Sequence, residues 1–330
     1  MPKTPLSALI ITHRGGALLA RGLAALRPQL GPQDTLHVAV SNLPGAADLS
    51  ACAEFGAEVL SLGENVGFAK AANLGLAACA NALILLLNDD TAPLPGFVDA
   101  LRASAVARPG LYQPRILLSD GSGRLDNTGH GLFPDGFNWA RGREDHDSAA
   151  YDLPGEVGAC SGAALLVHRD VLDAIGPFDE DLEAFGEDVD LSLRARRRGF
   201  PLVYVPEARI VHDLGATYGR YTPRKVFLVE RNRVRAAIRS LPMSAVLTMP
   251  AWTALRLGGL AAASASGRGW SARVESGAKR AALRGLVAGV AAAPDALAKR
   301  RADADHWALG EWAMWGHLLK HRVRLRDVLR

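Results

Sequence analysis

Asn88, Asp89 and Asp90 are the residues whose types and spacing most directly suit chemistry. They follow the apolar run at 82–87 and are followed by Pro93 and Pro95, which interrupt the backbone. Their carboxylate and amide oxygens suit a hard divalent cation that keeps some of its water for a substrate phosphate. An ordinary turn after a strand uses the same residue types, so the motif alone leaves both interpretations open.

A parallel sheet would position these oxygens, and the first 90 residues predict one. An apolar run bounded by turn signals is typical of a strand buried on both faces. Polar side chains at the carboxyl end of such a strand lie where open α/β sheets bind their ligands. Strands are predicted at 6–12, 36–40, 58–60 and 82–87, with helices at 17–26, 46–55 and 68–80. This alternation favours the α/β class with a parallel sheet.

The middle of the chain continues the pattern less regularly. Residues 119–152 are rich in Gly, Asp and Asn and have weak periodicity. They therefore predict a long, partly irregular loop, which in a compact domain is usually functional or mobile. Strands are predicted at 111–118, 160–168, 202–205 and 209–212, with helices at 169–175 and 188–198.

After residue 221 the chain changes to helices rich in arginine and alanine, predicted at 227–238, 245–263 and 278–293. Residues 268–330 contain 13 Lys and Arg against 6 Asp and Glu, so this segment has a net charge of +7. Because the whole chain has a net charge of +4, the remaining residues carry −3. Five tryptophans lie among these helices: Trp252, Trp270, Trp307, Trp312 and Trp315. Basic residues interleaved with Trp and Leu predict helices lying on a membrane surface, whereas a helical core filled by Trp is the alternative.

Composition restricts the class of protein. A chain of 330 residues with 22% charged and 49% hydrophobic residues is typical of a globular protein. Nucleic acid is a disfavoured partner, because no helix-turn-helix, zinc or single-strand-binding signature accompanies the basic charge. Cys52, Cys79 and Cys160 form no disulfide framework and no metal spacing, which predicts a reducing cytoplasm. We expect no signal peptide and no confident membrane span.

Three blocks of the sequence resemble glycosyltransferase family 2, near its bacterial rhamnosyltransferase-like branch. They are ENVGFA at 64–69 with Asn73, LLLNDDT at 85–91, and the long segment from SGAALLVHRD to ARIVH at 161–212. The resemblance implies the GT-A fold, a Rossmann-like mixed, mainly parallel sheet flanked by helices. It also implies a catalytic domain at 1–220 and a basic helical extension at 221–330.

The resemblance assigns a metal site to the first acidic motif. The family's DxD-like element holds Mg²⁺ or Mn²⁺ on the donor diphosphate, and here Asn88 takes its first position. Asp90 is implied as a metal ligand, with Asn88 and Asp89 at the donor. His212 matches a metal-proximal histidine of the family, although a lone histidine at a strand end is more commonly packed or solvated. A divalent cation would neutralise charge that builds on the leaving diphosphate.

Glu187-Asp188 resembles the family's acidic pair, in which the second carboxylate is the general base. An inverting transfer needs one carboxylate to take the proton of the acceptor hydroxyl, so Asp188 is the expected base and Glu187 its partner in the catalytic site. For Glu187 the alternative is an acid that stabilises its helix. Asp190 and Arg194 predict an i,i+4 ion pair. Asp179-Glu180 resembles an acceptor-side element, which a helix cap or turn explains equally well.

The resemblance also implies a donor pocket. Thr12, Asn65, Gly67 and Asn73 would surround the nucleotide, although Asn73 would serve equally to tie a helix to the sheet. Small residues would form the floor for the sugar and acceptor: Ser161, Gly162 and Ala163.

Two positions depart from the family pattern. Ser41-Asn42-Leu43-Pro44 stands where the family usually has a DNGS-like turn whose acidic residue contacts the nucleotide. Thr12-His13-Arg14 stands where an aromatic-Asn pair is common, which would move stacking on the base to His13.

The resemblance therefore implies an inverting, metal-dependent transfer of rhamnose or another hexose from a dTDP- or UDP-sugar to a glycan or polyprenyl-linked acceptor. We expect this in cell-envelope polysaccharide synthesis, in the cytoplasm and peripherally on the inner face of the membrane. A nucleotidyltransferase is disfavoured because no Gly-rich, Lys-bearing loop follows the first strand. A catalytically silent, membrane-bound assembly partner is the other alternative, which Asn88 and Ser41 keep open.

Overall fold

One mixed β-sheet forms the centre of the computed structural model, which describes residues 3–215, 222–267 and 276–329. The strands are β1 Leu6–Thr12, β2 Thr35–Val40, β3 Glu58–Ser61, β4 Leu83–Asn88, β5 Thr91–Pro93, β6 Leu111–Leu118, β7 Leu125–Asn127, β8 His130–Leu132, β9 Asn138–Ala140, β10 Gly155–Glu156, β11 Ala164–His168 and β12 Leu202–His212. The main order is β10-β12-β6-β11-β4-β1-β2-β3, while β8 and β9 form a separate hairpin.

Helices cover both faces of this sheet and continue beyond it. They are α1 Gly16–Leu26, α2 Ser50–Glu54, α3 Phe68–Ala78, α4 Phe97–Ala105, α5 Arg169–Ile175, α6 Glu187–Arg197, α7 Pro223–Ser240, α8 Met243–Ala265, α9 Ala278–Ala291, α10 Ala293–Ala304, α11 Glu311–Lys320 and α12 Leu325–Val328. The expected α/β class with a helical extension is confirmed.

Strand directions bring the polar strand ends to one edge of the sheet. β1 runs parallel to both β2 and β4, so Thr12 pairs with Val40, and Asn88 pairs with Ile11. β12 pairs antiparallel with β5, which places His212 opposite Thr91, directly after Asp90. The alternating side chains of β4 enter two different apolar clusters, Leu85 on one face and Leu86 on the other. The apolar run before the acidic motif is therefore a strand buried on both faces, as its sequence predicts.

The structure corrects four sequence predictions. The two strands expected around Pro206 are one strand, β12, whose register with β6 shifts between Val205 and Arg209 and so accommodates the missing N–H of the proline. The strand expected at 160–168 begins only at Ala164, because 160–163 form a turn beside the cleft described below. The helix expected at 46–55 begins at Ser50. The loop expected at 119–152 contains the three short strands β7, β8 and β9.

The C-terminal helices pack on the sheet domain through α7. Two glycines of α9 allow a close approach: a Cβ at Gly285 would lie 2.4 Å from the backbone oxygen of Phe227, and a Cβ at Gly289 would lie 2.8 Å from that of Arg231. α7, α8, α10 and α11 share an apolar cluster with Val189 and Leu193 of α6. The extension is thus joined to the helix that begins with the second acidic motif.

A buried group of charged side chains fastens α8 to α7 and to the β8–β9 hairpin. The Arg256 guanidinium of α8 donates to both carboxylate oxygens of Glu230 at 2.8 and 2.9 Å, and to Asp135 at 2.9 Å. Arg233 of α7 also binds Glu230, at 3.0 Å. Burial opposes ionisation of Glu230, but the two arginines lower its pKa to about 2. A buried charge cluster with this many partners strongly penalises loss of any one member.

The tryptophans occupy several environments. Trp307 lies between the guanidinium groups of Arg197 and Arg300, 4.0 and 4.8 Å from its ring centre. Trp252 is 38% exposed and Trp312 is 89% exposed. Trp270 lies outside the described residues. Trp307 is therefore stacked on two arginines, Trp315 packs against the apolar cluster of α7, α8, α10 and α11, and Trp312 is on the surface.

No helix among the described residues is by itself long and apolar enough to cross a membrane; α9 and α10, bent by 52°, meet the length and composition requirement only when they are taken together. The three cysteines are free and buried, with exposures of 2% for Cys52, 3% for Cys79 and 0% for Cys160. Burial raises the pKa of each thiol, that of Cys79 to about 11.

Candidate active site

A cleft of about 510 Å³ lies at the carboxyl-end edge of the parallel strands. This volume is in the range of small-ligand sites. The ends of β1 and β4, the start of α3, the turn at 161–163, the start of α6, the β8–β9 hairpin and α7 all contribute to its wall. Most sequence-predicted site residues line it: Thr12, His13, Asn65, Gly67, Asn88, Asp89, Asp90, Ser161, Gly162, Glu187, Asp188 and His212.

Asp90, His212 and Asp126 form a buried row on one side of the cleft. The Nδ1 atom of His212 lies 2.8 Å from Asp126 Oδ2, and its Nε2 atom lies 3.3 Å from Asp90 Oδ1. Burial alone would lower the pKa of His212, but the two carboxylates raise it to about 10. Asp126 fixes the ring so that Nε2 faces Asp90, an arrangement in which a carboxylate orients a histidine toward a metal position.

Two oxygens near this row suit a divalent cation. Asn88 Oδ1 is buried and accepts no hydrogen bond from any described residue, whereas the buried Asp90 Oδ1 lies 3.3 Å from His212 Nε2. Within the described part of the chain, no three His, Cys, Asp or Glu side chains are arranged to hold a metal by themselves. A cation here would therefore need further oxygen ligands from a substrate phosphate or from water, as is usual for Mg²⁺.

Asp89 points away from that row, toward the end of β1. The Thr12 hydroxyl donates to Asp89 and accepts from the backbone N–H of Gly15 at 2.9 Å. Burial raises the pKa of Asp89, and the hydrogen bond to Thr12 offsets part of this rise. Thr12 and Asp89 together hold the loop after β1 against the acidic turn.

Ser41 joins the end of β2 to the loop before α3. Its hydroxyl oxygen accepts from the backbone N–H of Val66 at 3.0 Å, while its carbonyl lies 2.6 Å from Nδ1 of His13. Asn65 accepts from the backbone N–H of Gly67 at 3.2 Å, and Gly67 has φ of 80°, a conformation that suits glycine. This serine is thus part of the cleft wall at the position where the family pattern has an acid.

Asp188 lies across the cleft from the acidic turn, at the start of α6. Its Oδ2 accepts from the backbone N–H of Gly162 at 2.8 Å, and its Oδ1 accepts from that of Val189 at 2.8 Å. His130 Nε2 lies 4.0 Å from the same Oδ2, and burial lowers the pKa of His130, which favours the neutral imidazole. The two backbone hydrogen bonds fix the direction of the Asp188 carboxylate.

Glu187 has a different environment from its neighbour. It is 7% exposed, and its Oε2 accepts no hydrogen bond from a described residue. Burial, reinforced by the charge of Asp188, raises the pKa of Glu187 to about 8. At neutral pH Glu187 is therefore largely protonated. The predicted ion pair one turn later is confirmed, with Arg194 Nε 2.7 Å from Asp190 Oδ2.

The turn at 161–163 is held from beneath. The backbone N–H of Ser161 donates to the side chain of Gln113 at 2.6 Å. A Cβ at Gly162 would lie 3.3 Å from the Cβ of Asp188, so a larger residue there would press on that carboxylate.

Asn73 and the Asp179-Glu180 segment lie outside the set of described cleft residues. The Asn73 side chain accepts from the backbone N–H of Phe178 and donates to its carbonyl, both at 3.0 Å, and it also donates to Glu180. Its position outside the cleft does not favour the predicted place at the nucleotide, and its hydrogen bonds tie α3 to the loop after α5, not to the sheet. Asp179 accepts from the backbone N–H of Asp181 as a cap and pairs with Lys299 of α10 at 2.9 Å.

The backbone before Glu187 is held in an unusual conformation by α7. Glu183 and Phe185 have φ of 61° and 63°, values that non-glycine residues rarely adopt. The fully buried amide of Asn232 donates to three carbonyls of this loop: Leu182 at 2.7 Å, Ala184 at 2.9 Å and Phe185 at 2.7 Å. Asn232 thus fixes the segment that leads into the Glu187-Asp188 pair.

Sequence reasoning missed several residues of the site. Asp126 and His130 belong to the segment at 119–152, whose three-residue strands are too short to give a periodic signal. The polar cluster DNTGH at 126–130 is the only hint that the sequence offers. α7 contributes Lys225, Glu230 and Arg233 to the cleft wall, although its sequence predicts only a basic helix.

Comparison with known proteins gives a consistent result. The family model described as "Glycosyltransferase like family 2" matches residues 6–238, more than half of the chain. An N-acetylglucosaminyl-diphospho-decaprenol L-rhamnosyltransferase of Mycobacterium tuberculosis is 27% identical over 241 residues, which cover 65% of this chain and 78% of that protein. A pre-mycofactocin glycosyltransferase of the same organism is 30% identical over 52% of this chain, but over only 35% of its own length.

Solved structures show the same fold. A mannosyltransferase, PcManGT, from Pyrobaculum calidifontis, solved with GDP-Man and Mn²⁺, aligns over 99% of this chain and 86% of its own with a TM-score of 0.53 and 16% identity. GalNAc-T7, solved with UDP, GalNAc and Mn²⁺, aligns over 75% of this chain and 53% of its own, about half its length, with a TM-score of 0.52 and 15% identity. The expected GT-A fold is confirmed.

Proposed function

The chain belongs to glycosyltransferase family 2, and from that premise we propose that it transfers a sugar, rhamnose or another hexose, from a dTDP- or UDP-sugar to a glycan or polyprenyl-linked acceptor with inversion. One observation carries this proposal most directly. The two acidic motifs, far apart in sequence, line the same cleft, one with buried carboxylate and amide oxygens that suit a metal and the other with a carboxylate held by backbone N–H groups. A donor diphosphate and an acceptor hydroxyl need such groups at the two ends of the reacting bond.

The metal side of the cleft belongs to Asp90 and His212. They would hold Mg²⁺ or Mn²⁺ through Asp90 Oδ1 and His212 Nε2, which would lose its proton when the metal binds, with Asn88 beside them. A bound divalent cation supplies charge stabilisation to the departing diphosphate. Asp126 orients the His212 ring, and the Thr12–Asp89 contact keeps the loop after β1 beside the donor. His13, Asn65 and Gly67 would surround the nucleotide.

Asp188 is the proposed general base. Its two backbone hydrogen bonds fix its direction, so that it can take the proton of an acceptor hydroxyl. The proton on Glu187 prevents a second negative charge beside it. Ser161 and Gly162 form a small-residue floor that leaves room for a sugar ring.

The acceptor is proposed to be lipid-linked, which would place the enzyme peripherally on the inner face of the cell membrane during envelope polysaccharide synthesis. Support comes from the M. tuberculosis relative, whose name includes a decaprenol-linked substrate. We also propose that the chain divides at residue 220. In this division the extension lies at the membrane, and its first helix, α7, completes the cleft wall. We propose no nucleic-acid partner for this protein.

Calorimetric titration with UDP-, dTDP- and GDP-sugars, with Mn²⁺ and with chelator, tests the function. We expect metal-dependent binding of one donor, lost in Asp90→Ala and retained in Asp188→Ala. Asp173→Asn, an exposed residue of α5 outside the cleft, is the matched control. Absence of binding to every donor would contradict the proposal and favour a catalytically silent homologue.

A further inference from the structure

α8 is a long surface helix whose exposed face carries no charged side chain. Its sequence, MSAVLTMPAWTALRLGGLAAASA, contains a single charged residue, Arg256, which is 1% exposed and belongs to the buried charge cluster. Exposed positions nevertheless recur along its whole length: Ser244, Leu247, Thr248, Pro250, Ala251, Trp252, Ala254, Leu255, Gly258, Ala261, Ala262 and Ala265. Leu247 is 75% exposed and Leu255 is 49% exposed. A solvated helix of this length normally presents charged or strongly polar residues on its outer face.

Other helices of the extension differ from α8 in carrying exposed charges, although α9 also exposes the large apolar residues Leu283, Val287 and Val290. α7 and α10 also lie at the surface, and both present lysine, arginine or aspartate that forms ion pairs, such as Arg235 with Asp295. α8 contains 23 residues and is therefore about 35 Å long. Its outer surface is thus a continuous uncharged strip of a size that usually marks an interaction site.

Basic side chains border this strip. α12 packs on α8 at Gly259, where a Cβ would lie 3.3 Å from Leu329 and 3.6 Å from Leu325. Arg322, Arg324 and Arg326 project from this C-terminal segment, and all three are exposed. Of these three arginines, only Arg326 has an ion-pair partner among the described residues, Asp327 at 3.6 Å. An uncharged strip beside exposed arginines is complementary to a bilayer that contains anionic lipid.

We propose that α8, together with the arginines beside α12, is a docking surface for an anionic lipid bilayer. The helix would lie in the plane of the interface, with Leu247 and Leu255 among the acyl chains and the arginines at the phosphate groups. This inference deepens the proposed function, because a lipid-linked acceptor must be reached from the membrane surface. Its test does not depend on sugar transfer.

The helix is also connected to the cleft. Phe133 packs edge-on against Trp252 of α8, with ring centres 5.9 Å apart. Phe133 and Phe137 share an apolar cluster with Leu257 and Leu260. Phe137 also lines the cleft. The β8–β9 hairpin is therefore the structural link between the proposed membrane face and the site.

Flotation of the full-length protein with vesicles of phosphatidylcholine, with and without phosphatidylglycerol, tests the proposal. We expect the protein to float with the anionic vesicles, and the bound fraction to fall with added salt. Leu247→Glu with Leu255→Glu should abolish flotation, and Arg322→Gln with Arg326→Gln should weaken binding roughly tenfold or more. Neither pair belongs to the described residues that line the cleft.

Matched controls separate the surface from general hydrophobicity and charge. Val106→Glu with Leu153→Glu changes residues that are 65% and 79% exposed on the sheet domain, and Arg27→Gln with Arg108→Gln removes two exposed charges there. Both controls should float like the unmodified protein. Circular dichroism and metal-dependent donor hydrolysis in solution should be unchanged in all variants.

Failure of the inference and failure of the proposed function are distinguishable. An unmodified protein that hydrolyses donor but does not float would overturn the membrane surface and leave the function in place. A dimer in solution that the α8 variant dissociates, without any flotation, would assign the strip to a second copy of the chain and also overturn the proposal. Flotation by the α8 variant equal to that of the unmodified protein would do the same.

Discussion

At the scale of single residues, the site is defined by two neighbouring carboxyl groups with opposite properties. Asp188 accepts two backbone N–H groups and faces the cleft, whereas Glu187 is buried without a donor to its Oε2. Adjacent carboxyls in different environments commonly divide into one charged and one neutral group. The local geometry thus distinguishes two residues that the sequence presents as a pair.

Asp188→Asn should therefore abolish transfer while the donor site remains intact. We expect kcat to fall by about 10²- to 10⁴-fold, the usual contribution of a general base, with little change in donor affinity. Steady-state kinetics and calorimetry would check both quantities. Glu187→Gln should stay within a few-fold of the unmodified enzyme, and a loss as large as that of Asp188→Asn would show that the roles are reversed.

Glu187 should also make stability depend on pH. Its pKa rises from an ordinary 4.5 to about 8 in the folded protein, so between these values the folded state binds more protons than the unfolded state. The free energy of unfolding therefore falls as pH rises through this interval. Glu187→Gln should remove that part of the slope and be the more stable protein on the alkaline side. Urea unfolding at several pH values would measure it, and parallel curves for the two proteins would contradict the assignment.

At the scale of elements, α7 supports the loop that carries the base. The Asn232 amide donates to three carbonyls of the loop at 182–185, where two non-glycine residues have positive φ. Such conformations persist only when surrounding contacts enforce them. A helix that follows residue 220 thus holds the loop before the proposed base in its conformation.

Asn232→Ala should lower both stability and turnover. Three carbonyls would lose their donor, at a cost of about 1–3 kcal/mol in the free energy of unfolding. We expect kcat to fall while donor affinity is retained, because the loop leads into Asp188 and not into the acidic turn. Ile238→Ala, a buried apolar residue of the same helix, controls for lost stability alone. Equal effects of the two variants on kcat would argue against a positioning role.

Elements with a strong local signal could be predicted from sequence, and those fixed by distant contacts could not. β4 was predictable because both of its faces are apolar, and α5 because a Gly-Pro stop ends it. The sequence predicts two strands in place of β12, because a proline such as Pro206 usually interrupts a strand. The structure has one strand because its register with β6 shifts beside the proline, and the sequence of β12 alone does not show that shift. Helix α4, which is nine residues long and follows two prolines, was not predicted.

The candidate site follows the same rule. The acidic turn and Glu187-Asp188 were identified because their neighbours form recognisable motifs. Asp126 was not, since its role depends on a hydrogen bond to His212, 86 positions away. Asn73 was placed at the nucleotide on motif alone, whereas its hydrogen bonds join it to Phe178.

At the scale of the whole molecule, the buried charge cluster holds the extension on the sheet domain. Arg256 compensates two carboxylates, Glu230 and Asp135, that are 4% and 0% exposed. Removing it leaves both without their main partner. The cluster therefore couples the folding of α8 to that of α7 and the β8–β9 hairpin.

Arg256→Met should destabilise the protein by about 3–5 kcal/mol, the range for breaking a buried ion pair. Denaturant unfolding would measure the loss, with Arg301→Met on the exposed face of α10 as the control. A change of less than about 1 kcal/mol would indicate that the cluster is solvated in solution. Adding Glu230→Gln to Arg256→Met should recover part of the loss, because one uncompensated charge is removed.

The burial of all three cysteines has a practical consequence. Because the thiols are covered and their pKa values are raised, we expect no rapid reaction with a thiol reagent in the native protein and three reacting groups after unfolding. Ellman titration would check this, and a fast-reacting native thiol would contradict it. The unmodified protein should therefore not react with a thiol-specific dye. Leu247→Cys would introduce one reactive thiol on α8, and an environment-sensitive dye attached there would report on the surroundings of that helix.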